Sequence, residues 1–307
     1  VAPARALARR RCRARRAAAL AVAAPEAFEV PVRLNTTPHS RSTRQLFYAD
    51  VVASFAAAVA DGVPRGRLWC EWTELNTETD VYRVGTLLEL VRCMATEVAT
   101  AQGRNVRVVV QGSMGRGVFQ GLPLQLSGVR RLLDMMEWDE VDGVELVAGD
   151  VPRVRIGALD ADELLPDDHV VIVIAPQNIK GAAIMPALEA LVERAEAQGT
   201  QVFLLNDKLA DIPSAEGLMG VRGRAERREY AASFEEIYHF RLVYNKPLFH
   251  PIYGALRRAH DHDWQVYKRF NVTKRTEEYR VIKTFPQKPT REELSDAILR
   301  YKPPPKE

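Results

Sequence analysis

The sequence predicts an α/β fold: a mixed sheet with a parallel βαβ core flanked by helices and a C-terminal antiparallel strand extension. Residues 170–175 form an unbroken apolar run, rich in Val and Ile, without polar alternation. A strand of this kind is covered on both of its faces, as in a parallel sheet. A helical pattern and a second apolar run at 202–205 follow it. Beyond residue 236, four strand-like segments follow one another without a helix, which is typical of an antiparallel extension.

The segment between the two apolar runs has the spacing of an amphipathic helix. Its apolar residues recur at intervals of three and four positions and form one stripe, made up of Ile184, Leu188, Leu191 and Ala195. Three glutamates lie off this stripe and are expected to face water. Gly199 ends the helix as its C-terminal cap. Strand, helix and strand together form one βαβ unit, whose crossover is expected to be right-handed.

The elements on either side of this unit follow from the same patterns. Those before it are helix 47–59, strand 68–72, helix 81–102, strand 106–110, helix 126–138, and strands 144–147 and 154–156, which we expect to pair as a hairpin. Those after it are a charged helix at 224–234 and strands at 237–244, 252–257, 264–270 and 279–285. Thr290 and Glu293 then form a capping box, which starts a last helix.

Four segments are expected along the chain: a transit peptide or disordered leader at 1–24, an extended arm at 25–45, a single α/β domain at 46–288, and a C-terminal helix with a Pro-rich tail at 289–307. The leader contains seven arginines and no acidic residue, a composition typical of organellar transit peptides. A nucleic-acid-binding arm and an unassigned tail are the alternatives. Without these seven arginines the formal net charge falls from +3 to −4, so the charge of the remaining chain does not favour a nucleic-acid partner.

Composition indicates a folded protein with a large core. The 307 residues are 47% hydrophobic and 27% charged. No apolar run reaches the ~18 residues that a bilayer-spanning helix needs. Outside the leader there are two cysteines, Cys70 and Cys93, in neither a C-x-x-C nor a metal-binding spacing. We expect buried free thiols, with a redox-sensitive pair as the alternative.

Two short motifs carry functional hypotheses. A glycine-rich loop begins at Gly112 and ends at Gly117, directly after strand 106–110, where nucleotide-binding folds have a phosphate-binding loop. Its spacing matches neither the dinucleotide fingerprint nor the P-loop, which favours a surface loop. The turn at 260–263 contains two histidines and two aspartates, which suit a metal ion, but no third ligating position is obvious. We therefore predict no metal, no cofactor and no catalytic residue.

The candidate binding residues follow from position. In open α/β sheets, ligands lie outside the carboxyl ends of the parallel strands. Amide and cationic side chains follow strands 170–175 and 202–205; the six candidates are Gln177, Asn178, Asn206, Lys208, Arg222 and Arg224. Such side chains suit an acidic group or a peptide segment. In the alternative interpretation, Asn206 only caps backbone groups in a turn and the arginines are solvated.

A resemblance to a known family appears at these residues. The segments that carry it are 171–176, 188–198, 202–209, 220–224, 234–241 and 264–267. They resemble a plastid and cyanobacterial family of domains of unknown function, which includes the low photosystem II accumulation type-three assembly factor. The resemblance covers roughly residues 46–285. The chain departs from the family in having Asp207 where a proline is usual, and in its loop between Gly112 and Gly117.

The resemblance implies a non-enzymatic chloroplast assembly or stability factor for photosystem II. Such a factor binds a photosystem II subunit, or assembly and insertion factors, transiently and without nucleic acid. It is expected in the stroma or at the stromal face of the thylakoid membrane, with peripheral association. The alternative is a small-molecule or nucleotide-binding α/β enzyme that uses the strand ends and the loop between Gly112 and Gly117.

Overall fold

The computed structural model describes residues 28–31, 34, 37–111, 132–133, 135–136, 153–177, 184–209, 223–244, 252–271 and 277–301. The helices within this part are α1 (Arg41–Asp61), α2 (Val84–Ala101), α3 (Met185–Gln198), α4 (Arg224–Ala232) and α5 (Arg291–Leu299). The strands are β1 (Arg65–Glu71), β2 (Val106–Val110), β3 (Val154–Ala158), β4 (Val170–Ile174), β5 (Gln201–Leu205), β6 (Glu235–Tyr244), β7 (Ile252–Arg258), β8 (Trp264–Asn271) and β9 (Glu277–Phe285). Two short 3-10 helices, Thr73–Leu75 and Ala161–Glu163, follow β1 and β3.

Within the described residues, nine strands form one sheet in the order β3-β2-β4-β5-β1-β6-β7-β8-β9. In this order, the strands from β3 through β1 to β6 are each parallel to their neighbours. The strands from β6 through β7 and β8 to β9 are antiparallel. The predicted fold class is therefore confirmed, including the parallel pairing of β4 with β5 on either side of α3. Strand β1 comes first in the chain but lies in the middle of the sheet.

Helices cover the two faces of the sheet in separate layers. On one face, α1 packs beside α2, and Phe55 of α1 meets Phe203 of β5 edge to face with ring centroids 4.9 Å apart. On the other face, α3 and α4 share an apolar cluster with Val202 and Leu204 of β5. These β5 residues divide between the two layers because side chains alternate along a strand. The core of the parallel half therefore lies on both sides of the sheet.

The predicted helix stripe packs as expected. Leu188 and Leu191 of α3 are fully buried in the cluster between α3 and the sheet. Gly199 ends the helix in the left-handed conformation, with a φ of 75°, and its N–H bonds the last carbonyls of the helix. The unbroken apolar run of β4 is likewise buried at every position, because helices cover both of its faces.

The C-terminal helix packs against the antiparallel strands. Leu294 and Ile298 of α5 are buried against Leu256 of β7 and against two residues of β8. The predicted capping box is present at its start, where Thr290 and Glu293 bond each other's backbone N–H groups. α5 lies on the same face of the sheet as α3, because the registers of β1, β6 and β7 place Leu204 of the α3 cluster and Leu256 of the α5 cluster on one face.

The start of one helix and the parallel partner of one strand were not predicted. α1 begins at Arg41, inside the segment expected to be an extended arm, because the hydroxyl of Ser40 accepts the N–H of Thr43 at 3.1 Å and caps the helix there. β3 pairs in parallel with β2, with Val106 beside Val154, and its expected hairpin with 144–147 stays a prediction. The expected hairpin partner at 144–147, most of the helix at 126–138 and the loop at 112–117 lie outside the described residues.

Two further expectations concern the burial of the cysteine thiols and the length of the apolar helices. Cys70 is a buried free thiol, as predicted, and burial raises the pKa of its sulfhydryl well above the usual value. Cys93 is half-buried, whereas a buried thiol was predicted. Among the helices that the structure describes, none combines the length and the apolar character needed to cross a bilayer.

Candidate functional site

The carboxyl ends of β2, β4 and β5 meet at one edge of the sheet. Gln177 and Lys208 form an isolated parallel bridge beyond β4 and β5, in which the N–H of Lys208 donates to the carbonyl of Pro176 at 2.7 Å. The side-chain amide of Gln111, directly after β2, bonds both backbone groups of Gln177 at 3.0 Å. The structure therefore brings together Gln177 and Lys208, two of the residues that the sequence placed at this edge.

Asn206 holds two strands together at the same edge. Its side-chain oxygen accepts the N–H of Cys70 at 2.6 Å, and its side-chain N–H donates to the carbonyl of Cys70 at 2.9 Å. The backbone of Asn206 is left-handed, with a φ of 51°, a conformation that asparagine tolerates better than most residues. The amide of Asn206 is thus used inside the fold, as in the alternative interpretation of the sequence.

The other sequence-predicted residues have separate surroundings. The ammonium group of Lys208 donates to the hydroxyl of Thr77, in the segment that follows β1. Arg224 is the first residue of α4 and is half-buried. Asn178 and Arg222 lie outside the described residues. A role of these residues in partner binding stays a prediction.

Charged and aromatic residues line one face of β1, the middle strand of the sheet. Arg65, Arg67, Trp69 and Glu71 are half-buried, whereas the residues between them are buried. Arg67 lies beside Leu204 in the parallel register, and Leu204 belongs to the cluster under α3, so these side chains lie on the α3 side of the sheet. These residues were not among the candidates predicted from the sequence. The sequence pattern that could have revealed them is a charged or aromatic residue at every second position of the strand.

The same face continues onto β6. His239 and Arg241 lie beside Trp69 and Glu71 in the parallel register. Arg241 also lies beside Leu256 of β7, which belongs to the apolar cluster under α5. The patch is therefore situated between the α3–α4 layer and α5. We call it the β1 face; it consists of Arg67, Trp69, Glu71, His239 and Arg241.

Contacts within the β1 face hold its side chains in place. Nε and Nη2 of Arg67 bond the two carboxylate oxygens of Asp207 at 2.5 and 3.2 Å. Asp207 is 2% exposed; burial raises the pKa of its carboxyl group, and the charge of Arg67 opposes this. The guanidinium carbon of Arg67 lies 5.8 Å from the ring centroid of Trp69, whose indole N–H donates to Glu71 at 3.0 Å. Fixed side chains lose less conformational entropy when a partner binds.

A buried histidine forms the β6 side of this face. Nδ1 of His239 lies 2.6 Å from a carboxylate oxygen of Glu236, which also accepts the ammonium of Lys288 at 2.8 Å. Burial lowers the pKa of His239 to about 4, although Glu236 opposes this shift. Burial acts to raise the pKa of Glu236, but hydrogen bonds and charge from His239 and Lys288 bring it down to about 2. At neutral pH, therefore, His239 is neutral and donates to an ionised Glu236.

The sequence of the whole sheet region matches one family model. A domain of unknown function (DUF1995) matches residues 41–296. The chain belongs to this family. The match begins at the first residue of α1 and ends inside α5, so the family domain contains every strand of the sheet and the complete β1 face. At the level of the domain, this family match agrees with the resemblance found in the sequence.

The β1 face of this DUF1995 domain combines cationic and aromatic side chains. Arg and Trp are among the residue types that contribute most to protein–protein binding energy. Here Trp69 is half-buried beside Arg67, and Arg241 is exposed. In general, an exposed guanidinium suits a carboxylate, and an indole ring suits apolar atoms.

Acidification is expected to destabilise the DUF1995 domain through His239. The pKa of His239 is about 4 in the folded protein and 6.5 as its ordinary value, so the unfolded chain takes up the proton first as the pH falls. The contribution of neutral His239 to the free energy of unfolding is complete above a pH of about 6.5. It is lost as the pH falls towards 4, and the free energy of unfolding is lower by about 2 kcal/mol at a pH of about 5. Urea unfolding at neutral pH and at a pH of about 5 measures this change in the free energy of unfolding. His239→Gln should show a smaller loss; an equal loss in both proteins would contradict the assignment to His239.

Proposed function

We propose that this protein is a non-enzymatic binding protein that holds a partner polypeptide on its β1 face and acts in the chloroplast as an assembly or stability factor for photosystem II. The observation that carries the binding role is the half-buried charged and aromatic face at the centre of the sheet. The resemblance to the family of the photosystem II assembly factor supports the place of action. The arginine-rich leader, typical of a transit peptide, supports it independently.

The position of β1 supports binding because middle strands of parallel sheets are normally covered by apolar layers. β4 and β5 follow this rule and are buried at every residue. β1 alternates between buried and half-buried residues, although it lies between β5 and β6. The half-buried positions hold charged and aromatic side chains with their own ordering contacts. A surface of this kind at the centre of a fold suits a partner that covers it.

The side chains of the β1 face indicate the chemistry of the partner. Arg241 is exposed and lies beside Glu71, and Trp69 separates this pair from Arg67 along the strand. A segment with a carboxylate for Arg241 and an apolar side chain for Trp69 complements this arrangement. A photosystem II subunit, or a factor that inserts one, supplies such a segment from the stromal side of the thylakoid. The binding is transient, as expected for a patch of a few residues.

Co-purification from solubilised thylakoids tests this proposal. The tagged protein is expected to retain photosystem II subunits or their assembly factors, identified by mass spectrometry. Arg241→Glu reverses an exposed charge of the β1 face and should reduce the retained amount about ten-fold, which corresponds to about 1.4 kcal/mol. Its free energy of unfolding should fall by no more than about 1 kcal/mol, because the new carboxylate lies beside Glu71 but at an exposed position.

Arg300→Glu is the matched control, because Arg300 is an exposed arginine at the end of α5, with a side chain 79% exposed. It should leave the retained amount unchanged. Equal retention by the Arg241→Glu protein would show that the β1 face is not the binding surface. Arg222→Ala in the same assay tests the loop position predicted from the sequence. A rise in melting temperature with nucleotides, without retained subunits, would favour the enzyme alternative instead.

A further inference from the structure

A buried histidine is surrounded by three carboxylates at the amino-terminal edge of the sheet. The side chain of His260, in the turn between β7 and β8, is 5% exposed. Its Nε2 lies 3.2 Å from Oδ2 of Asp61, the last residue of α1, and 3.8 Å from Oδ1 of Asp261. Its Nδ1 lies 3.9 Å from Oε1 of Glu235, the first residue of β6. Three separate elements thus place carboxylates around one imidazole.

Each ring nitrogen of His260 faces at least one carboxylate. Nδ1 is buried and has no hydrogen-bond partner among the described residues. If the ring proton is on Nε2, it bonds Asp61, but the lone pair of Nδ1 then faces Glu235. If the proton is on Nδ1, it faces Glu235, but the lone pair of Nε2 then faces Asp61 and Asp261. Either neutral tautomer leaves a lone pair against a carboxylate, which is unfavourable at a buried position.

The backbone holds His260 in this position. The N–H of His260 donates to the hydroxyl oxygen of Ser54 on α1 at 2.8 Å. The hydroxyl of Ser54 in turn donates to the carbonyl of Ile237 on β6 at 2.9 Å. Ser54 is itself buried. The turn is therefore tied to the same two elements that supply Asp61 and Glu235, which is the rigid support that a metal site requires.

We propose that Asp61, His260 and Asp261 bind a divalent transition metal ion of the Zn²⁺ class. Bonds of about 2.1 Å place neighbouring ligand atoms about 3.0–3.4 Å apart, close to the 3.2 Å between His260 and Asp61. Asp261 completes the set by a small rotation, since its side chain is 78% exposed. An imidazole nitrogen with carboxylates suits Zn²⁺, whereas Ca²⁺ and Mg²⁺ prefer oxygen ligands alone.

Glu235 has a different role in this site. Metal-bound histidines donate their second ring N–H to a carboxylate or a carbonyl, which fixes the ring and its tautomer. Metal binding at Nε2 puts the proton of His260 on Nδ1, the atom that faces Glu235. The side chain of Glu235 is 49% exposed and moves the short distance needed for a hydrogen bond. Both ring nitrogens then have partners.

The fold supplies the ligand that the sequence did not reveal. Asp61 lies 199 positions before His260, and α1 brings the two together. Within the described part of the chain, Asp61, His260 and Asp261 are the one group of at least three His, Cys, Asp or Glu side chains close enough to share an ion. His262, the second histidine of this turn, is exposed and is not part of the group. The site lies at the opposite end of β1 from the bridge between Gln177 and Lys208, and does not depend on the proposed function.

Calorimetric titration with ZnCl₂ tests the site. The full chain is purified with a removable tag, freed of the tag and treated with a chelator before the titration. One ion per chain is expected to bind, with a rise in melting temperature. Asp61→Asn and Asp261→Asn should each weaken binding at least ten-fold, and Glu235→Gln about ten-fold. Asparagine suits position 261 because it tolerates the left-handed backbone of Asp261, where φ is 60°.

His262→Gln is the matched control, since it removes an exposed histidine from the same turn; its affinity should equal that of the unaltered protein. Circular dichroism confirms that each variant is folded before titration. Absence of stoichiometric Zn²⁺ binding by the unaltered protein would overturn the proposal. Unchanged affinity in the folded double variant Asp61→Asn/Asp261→Asn would also overturn it, because the ion would then be bound elsewhere.

Discussion

Arg257→Ala is expected to lower the free energy of unfolding by about 3–5 kcal/mol, because it leaves the charge of Asp50 buried without its partner. Asp50 of α1 and Arg257 of β7 form a two-bond ion pair at 2.5 and 2.9 Å, with side chains only 10% and 8% exposed. The hydroxyl of Tyr238 also donates to Asp50 at 2.8 Å, and Arg257 donates to Gln265 at 2.7 Å. Burial raises the pKa of Tyr238, which keeps its hydroxyl a donor at neutral pH. Urea unfolding monitored by circular dichroism measures the loss.

A double-mutant cycle separates the ion pair from the burial of its parts. Asp50→Ala removes the other partner. The double variant Asp50→Ala/Arg257→Ala should lose less free energy of unfolding than the two single variants lose in total. Arg300→Ala is the control, since Arg300 pairs with Asp296 at the surface and should cost less than about 0.5 kcal/mol. Additive losses in the cycle would mean that the two side chains act independently.

Leu188→Ala is expected to cost about 2–5 kcal/mol, through lost apolar burial and the cavity that remains. Leu188 is fully buried between α3 and the sheet, in the same cluster as Val173 of β4 and Val202 of β5. β4 precedes α3 in the chain and β5 follows it, and the two strands pair with each other in the sheet. Because this pairing holds the backbone in place, it cannot collapse fully around a smaller side chain. The midpoint and slope of denaturant unfolding give the change in stability.

Leu299→Ala is the matched control for Leu188→Ala, since it makes the same change at the end of another helix. Leu299 is 69% exposed, so its replacement should change stability by less than about 0.5 kcal/mol. A loss below about 1 kcal/mol for Leu188→Ala would show that α3 is not packed tightly against the parallel core.

Short-range patterns predicted the elements well. The stripe of α3, its end at Gly199 and the apolar run of β4 are each readable from fewer than twenty consecutive residues, and each is present in the structure. Helix ends were less predictable, because a capping hydrogen bond can move them. α1 begins at Arg41 since Ser40 bonds the N–H of Thr43, a contact that periodicity does not report.

The candidate site was predictable only in part. The meeting of Gln177 and Lys208 follows from the rule that parallel neighbours share a carboxyl edge. The use of the Asn206 amide by the backbone of Cys70 depends on which strand lies beside β5. The β1 face depends on the same fact, because its alternating residues become a central surface only when β1 is placed between β5 and β6.

The sequence by itself determined the α/β class, the βαβ unit and the antiparallel extension, because side-chain periodicity and apolar runs are local properties. The tertiary structure alone decided that β1 lies at the centre of the sheet and that Asp207 pairs with Arg67, 140 positions away. It also decided that Asp61 joins His260 across 199 positions. Such contacts are set by the strand order and by the packing of α1, and local patterns do not encode either of them.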